Sequence, residues 1–126
     1  MNFPENVKYT SDHEWIRVEG QYGWVGITDY AQSELGDIVY IELPAIATKV
    51  EKGKSFGTIE AVKAVSDLFA PVAGEVVEIN TEMKNHPEDV NKDPYDKGWM
   101  VKIKITDPAQ LDTLLDVQAY KTLIGK

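Results

Sequence analysis

The block Gly36-Asp37-Ile38-Val39-Tyr40-Ile41 returns later in the chain as Gly74-Glu75-Val76-Val77-Glu78-Ile79, with glycine, acid and β-prone residues in the same order. A weaker echo sets Lys52-Gly53 against Lys97-Gly98, so the later copy carries seven more residues, which must fall between Asn80 and Asp96. A β unit that occurs twice is expected to share one core with its copy, since neither can cover its apolar face alone. The fold class this implies is mainly β: a flattened barrel-sandwich of two small antiparallel sheets with a quasi-duplicated half motif, one short internal helix and a C-terminal helix.

Local signals place the elements. Residues 14–18 and 22–27 are β-prone runs joined by Glu19-Gly20-Gln21, a hairpin. Thr28 or Asp29 can cap a two-turn helix from Asp29 to Leu35, with Gly36 at its left-handed stop. Ile38 to Leu43 reads as strand, Val39, Ile41 and Leu43 on one face and Tyr40 and Glu42 on the other, until Pro44 ends the ladder. Further strands are expected near 54–62, 66–70, 74–79 and 99–105. From Asp107 the period changes: Asp107 as cap, Pro108 at the first position, Gln110 reaching back and Leu111, Leu114 and Leu115 in one stripe describe a docking helix. At 126 residues and 43% hydrophobic content, the expectation is one domain over 1–126, with a β core at about 7–105 and a helical segment at about 107–124.

Composition removes several function classes. The absence of Cys excludes disulfides, thiolate metal sites and cysteine nucleophiles. A net charge of -8 repels phosphate backbones and anionic lipid, so the reading is no nucleic acid and no membrane. No apolar run approaches the roughly 20 residues of a spanning helix, and the first residues lack a signal-peptide layout, which points to the cytoplasm, or to the mitochondrial matrix only if a transit peptide was removed. Asp89-x-Asn91-x-Asp93 opens like a calcium loop, but Pro94 stands where the sharp turn needs Gly and Met100 where the bidentate Glu belongs, so it reads as a polar turn. His13 and His86 have no second imidazole at ligand spacing, and no metal site is expected. Trp15, Trp24 and Trp99 read as core or its rim.

The join between the two copies lies near Lys63. With strand ending at about Val62 and resuming at about Val65, only two or three residues can reverse the chain, and Lys63 is expected at a hairpin tip. Val62-Lys63-Ala64 has none of the Gly, Asn, Asp or Pro that mark tight turns, so the sheets beneath must impose its geometry. Lys63 is one of twelve lysines, most of which are simply solvated. The small neighbours Ala61 and Ala64 set it apart, because they leave its amine open to a modifying enzyme.

At these residues the chain resembles the H protein of the glycine cleavage system, a lipoyl carrier. The resemblance runs through Ser11-Asp12-His13-Glu14-Trp15, Gly26-Ile27-Thr28-Asp29-Tyr30-Ala31-Gln32 and Leu35-Gly36-Asp37-Ile38-Val39-Tyr40-Ile41-Glu42-Leu43-Pro44. It continues in Glu60-Ala61-Val62-Lys63-Ala64, Ser66-Asp67, Pro71-Val72-Ala73-Gly74-Glu75-Val76, Asn91 with Pro94-Tyr95, and Gly98-Trp99-Met100. Biotin carriers, which share the hairpin-tip arrangement, place Met on both sides of their lysine; here the neighbours are Val62 and Ala64. Ala61 stands where the family often has Ser, an exchange of one small residue for another.

The resemblance implies a non-catalytic carrier with lipoic acid in amide linkage to Lys63. By the same analogy, the arm takes an aminomethyl group from the pyridoxal-phosphate glycine decarboxylase. It passes the one-carbon unit to a folate-dependent aminomethyltransferase and is reoxidised by dihydrolipoyl dehydrogenase, after a lipoylating enzyme has attached it. Tethering keeps the cargo from diffusing away and presents it at effective concentrations of roughly millimolar. Acidic residues in these motifs are arm-cleft candidates. If 11–15 is strand, alternation puts Asp12 and Glu14 on one face and His13 and Trp15 on the other, and Glu14 with Asp67 can hold a cationic amine. Ordinary solvated acids remain the plain alternative for both. Two other functions stay open beside the aminomethyl shuttle: an H-like protein storing or donating lipoyl groups for other complexes, and an unmodified β domain that only binds partners. A carrier docking with several enzymes by one tip is most simply a monomer.

Overall fold

The computed structural model describes residues 1–126. In chain order the elements are β1 (Lys8–Tyr9), β2 (Glu14–Glu19), β3 (Tyr22–Ile27), α1 (Asp29–Leu35), β4 (Ile38–Glu42), β5 (Lys49–Val50), β6 (Ser55–Ala61), β7 (Val65–Phe69) and β8 (Gly74–Ile79). Then follow α2 (Glu82–Asn85), α3 (Asp89–Lys92), β9 (Val101–Ile105), a 3₁₀ helix (Pro108–Thr113) and α4 (Val117–Ile124). All pairings are antiparallel. One sheet has six strands in the order β1-β2-β3-β9-β8-β5, the other three in the order β4-β6-β7, and neither closes on itself.

The two copies of the repeated block fall in different sheets, Gly36–Ile41 leading into β4 and Gly74–Ile79 forming β8. One continuous core joins them: Ile16, Val25, Val76 and Ile103 of the larger sheet pack with Ile41, Ile59 and Leu68 of the smaller. Each fully buried aliphatic side chain of this kind contributes about 1.5–3 kcal/mol of transfer free energy. A second cluster, built on Val7, Tyr9, Trp15, Tyr95 and Tyr120, sits under the C-terminal segment, with Trp24 and Trp99 at its edge. The seven residues by which the second copy exceeds the first lie in the stretch that forms α2 and α3.

Three expectations need correction. Val39, Ile41 and Leu43 do not share a face, because β4 bulges against β6 between Ile38 and Tyr40. The extra residue resets the alternation, so Ile38 and Ile41 are buried while Val39 and Tyr40 are half exposed. The stretch from Asp107 is not one helix. Leu114 is extended, and the Leu115 N–H and C=O both pair with Tyr9 at 2.8 Å, which ends the 3₁₀ turn and leaves Asp116 to cap a separate α4 through Ala119 N–H. The leucine stripe divides accordingly, Leu111 and Leu114 on the main core and Leu115 on the aromatic cluster. Asp107 makes no side-chain cap bond, and Gln110 does not reach back to it; its Oε1 accepts from Ala73 N–H at 2.7 Å.

Candidate functional site

β6 and β7 form a hairpin whose last paired residues are Glu60 and Val65. Ala61 N–H donates to Ala64 O at 2.7 Å, which closes the turn with no left-handed residue between them. Val62 N–H donates outward, to Asp37 O at 3.0 Å in the loop before β4. Lys63 stands at the tip, exposed, and takes part in no ion pair or hydrogen bond. Its side chain lies over Gly36, where an added Cβ would come within 3.3 Å of Lys63 Cε. Gly36 also has φ +83°, which favours glycine, and its N–H caps the end of α1 by donating to Gln32 O.

A surface cleft of about 270 Å³ opens beside this hairpin. Its apolar wall is Ile27, Leu35, Ile59 and Leu68, and its acidic lining is Asp12, Glu14, Glu34 and Asp67. Leu35 precedes Gly36 in the chain, so the cleft begins next to the residue on which Lys63 rests. The structure thus brings Asp12, Glu14 and Asp67 to one cavity. It also brings His13 there, against the alternation expected for 11–15. Strand begins only at Glu14, and Thr10 to His13 is a turn closed by His13 N–H to Thr10 O, with His13 at φ +70°. Trp15 points away into the aromatic cluster, its indole N–H donating to Pro94 O at 3.1 Å.

Glu14 is 3% exposed. Thr10 Oγ1 donates to its Oε1 at 3.0 Å and Phe69 N–H to its Oε2 at 3.4 Å, so the carboxyl links β2 to β7 across the floor of the cleft. Burial pushes its pKa up to about 8; the two hydrogen bonds pull the other way and Asp12 adds to the rise. An empty cleft therefore holds a protonated Glu14 at neutral pH, and a cation placed against it favours the carboxylate. Asp67 is exposed on β7, with Ser55 Oγ donating to its Oδ1 at 3.2 Å.

The other contributors were hidden in the sequence. Tyr30 and Glu34 line the cleft one helical turn apart on α1, a spacing visible only once that helix is placed against the hairpin. His13 Nδ1 lies 2.9 Å from Tyr120 Oη of α4, which also lies 2.8 Å from Thr28 Oγ1, the N-cap of α1. Burial holds the His13 imidazole below its usual value. Asn91, which the sequence offers in a polar turn and among the residues of the resemblance, lies instead on the short helix α3, from which it makes three bonds to the end of α1 and the start of β4.

A family model of the glycine cleavage H-protein matches residues 7–126. A glycine cleavage system H protein of Bacteroides fragilis is 58% identical over 125 residues, 99% of each chain. That of Staphylococcus carnosus is 54% identical over 126 residues, the full length of both. The crystal structure of a glycine cleavage system H protein from Mycobacterium marinum superposes with a TM-score of 0.88 at 36% identity, covering 98% of this chain and 99% of the other. Every one of these names refers to glycine cleavage, which leaves the reading as a donor of lipoyl groups to other complexes without support. Two facing sheets with this repeat, a lysine at the one hairpin tip between the copies, and sequence identity along the whole chain agree: the chain belongs to the glycine cleavage H-protein family, the lipoyl carriers of the glycine cleavage system.

Proposed function

We propose that Lys63 is the residue that carries the lipoyl group, in amide linkage, and that the cleft lined by Asp12, Glu14 and Asp67 receives the loaded arm. The observation that carries this reading is the unpaired, exposed Lys63 at the tip of the β6–β7 hairpin, against Gly36 and beside an acid-lined cavity. The residues present suit such a group: an amine free to be acylated, an apolar wall for a hydrocarbon arm and carboxylates for a cationic cargo. When attached, the group supplies a dithiolane that is opened and closed as the aminomethyl unit passes between enzymes. The chain itself contributes position and shelter. Ile27, Leu35, Ile59 and Leu68 exclude water from one side of the cleft, and Glu14 and Asp67, with Asp12 at the rim, oppose the charge of an ammonium.

The whole of 1–126 acts as one carrier domain in this reading, monomeric and without catalysis of its own. Its partners are the pyridoxal-phosphate glycine decarboxylase, the folate-dependent aminomethyltransferase, dihydrolipoyl dehydrogenase and a lipoylating enzyme. We place it in the cytoplasm, in keeping with its bacterial relatives; no helix of the structure is long and apolar enough to cross a membrane. Intact mass of protein from a lipoylating host, with peptide mapping, tests the assignment. One lipoyl addition on Lys63, abolished in Lys63→Arg, is expected. A wild-type protein without the addition, or carrying it on another lysine, overturns it.

A further inference from the structure

Between α3 and the lysine hairpin runs a chain of hydrogen bonds centred on one side-chain amide. Asn91 Nδ2 donates to Gln32 Oε1 at 3.0 Å and to Gly36 O at 2.9 Å, while its Oδ1 accepts from Ile38 N–H at 2.9 Å. One amide thus holds both ends of the segment 36–38. The carbonyl of the residue between them, Asp37 O, accepts from Val62 N–H at 3.0 Å, and Gly36 is the seat of the Lys63 side chain. The tip has no turn residue of its own to define it, and beyond the Ala61–Ala64 bond its only external backbone restraint is that bond from Asp37. Asn91 therefore restrains the segment that in turn restrains Val62 and supports Lys63.

We propose that Asn91 is a positioning residue for lipoyl attachment, fixing the 36–38 segment so that the hairpin presents Lys63 in the conformation the lipoylating enzyme accepts. The proposal rests on Lys63 being the acceptor. In that reaction the neutral Nζ attacks the carbonyl carbon of an activated lipoyl ester or anhydride. The C–N bond forms, the activating group leaves with its electron pair, and the amine proton passes to solvent. Asn91 touches none of these atoms; it acts on how often the tip is competent to dock. A drop in the competent fraction raises the apparent dissociation constant in proportion and leaves the bound step alone.

The discriminating variant is Asn91→Asp, which keeps shape and the acceptor for Ile38 N–H but replaces both amide donors to Gln32 and Gly36 with an oxygen. Asn91→Ser is run beside it, so that a failure of the first to fold leaves the second to decide. Losing one to two neutral hydrogen bonds corresponds to a change of roughly five- to thirtyfold. Steady-state lipoylation of the apo chain by a lipoylating enzyme is expected to show KM raised by roughly that factor with kcat unchanged. Hydrogen exchange at Val62 N–H is expected to accelerate in parallel, while exchange in the core strand β9 stays at the wild-type rate. Val76→Ala, a core change in the other sheet, is the control for general destabilisation and is expected to keep the wild-type KM. Unchanged KM in a folded Asn91 variant overturns the proposal, as does an equal rise in KM for Val76→Ala. If instead wild-type protein accepts no lipoyl group at Lys63, it is the underlying assignment that fails, a different result from either of these.

Discussion

Replacing Glu14 with Gln keeps the volume and the two hydrogen-bonding positions of the side chain and removes only its ability to ionise. Folded, the buried carboxyl titrates near 8; in the unfolded chain it returns to about 4.5. Between those values the native state holds a proton that the unfolded state has released. The stabilisation from the protonated, hydrogen-bonded Glu14 is therefore complete below about pH 4.5, declines as pH rises and is gone above about pH 8. At about 1.4 kcal/mol per unit of difference, wild-type protein loses roughly 2–3 kcal/mol of stability from this group between pH 5 and pH 7. The substituted amide has no such dependence. Its oxygen can accept from Phe69 N–H and its nitrogen can donate to Thr10 Oγ1, so the bonds across the cleft floor persist.

Urea unfolding of both proteins at pH 5, 6, 7 and 8 measures this directly. The Glu14→Gln stability curve is expected to fall less steeply than wild type, with the difference opening by roughly 2–3 kcal/mol from pH 5 to pH 7. Parallel curves would refute the claim that burial controls this carboxyl. A second readout links it to the proposed arm cleft. Hydrolytic release of the loaded one-carbon unit is expected to be faster in Glu14→Gln at pH 7, because the amide cannot become the carboxylate that a cation draws from Glu14. Equal release rates would remove Glu14 from the cleft's function while leaving the stability argument intact.

Two further changes test the frame around the site. Gly57→Ala drives a Cβ into the Glu42 carbonyl oxygen on the neighbouring strand β4, so it is expected to cost about 1–3 kcal/mol and lower the thermal midpoint; a wild-type midpoint would contradict the close approach of β4 and β6. Tyr120→Phe removes the hydroxyl shared by His13 and Thr28 while keeping the ring stacked on Tyr9 at 4.6 Å, and should cost about 1–3 kcal/mol by urea unfolding, with an unchanged midpoint arguing against a latch between α4 and the start of α1.

What the sequence disclosed and what it concealed separate along a physical line. Side-chain period and local turn chemistry are properties of neighbouring residues, and they located the β2–β3 hairpin at Gly20, the capped α1 and the strands of the repeat. β1 and β5 have two residues each, too few to show a period. The bulge at Val39 exists only relative to β6, and the break before α4 exists because Tyr9, far away in the chain, takes both backbone groups of Leu115. Each is a backbone pairing across long separation, which no local pattern encodes. The tip shows the same division most clearly. The repeat locates it between the copies, and its lack of turn residues implies an outside restraint, expected from the sheets beneath. That restraint comes from the loop before β4, through the Asp37 carbonyl, and Asn91 holds that loop from the stretch that makes the second copy longer than the first. A turn without its own turn chemistry takes its shape from its neighbours, and here the backbone restraint outside the hairpin, the Asp37 carbonyl, belongs to the segment that Asn91 holds at both ends.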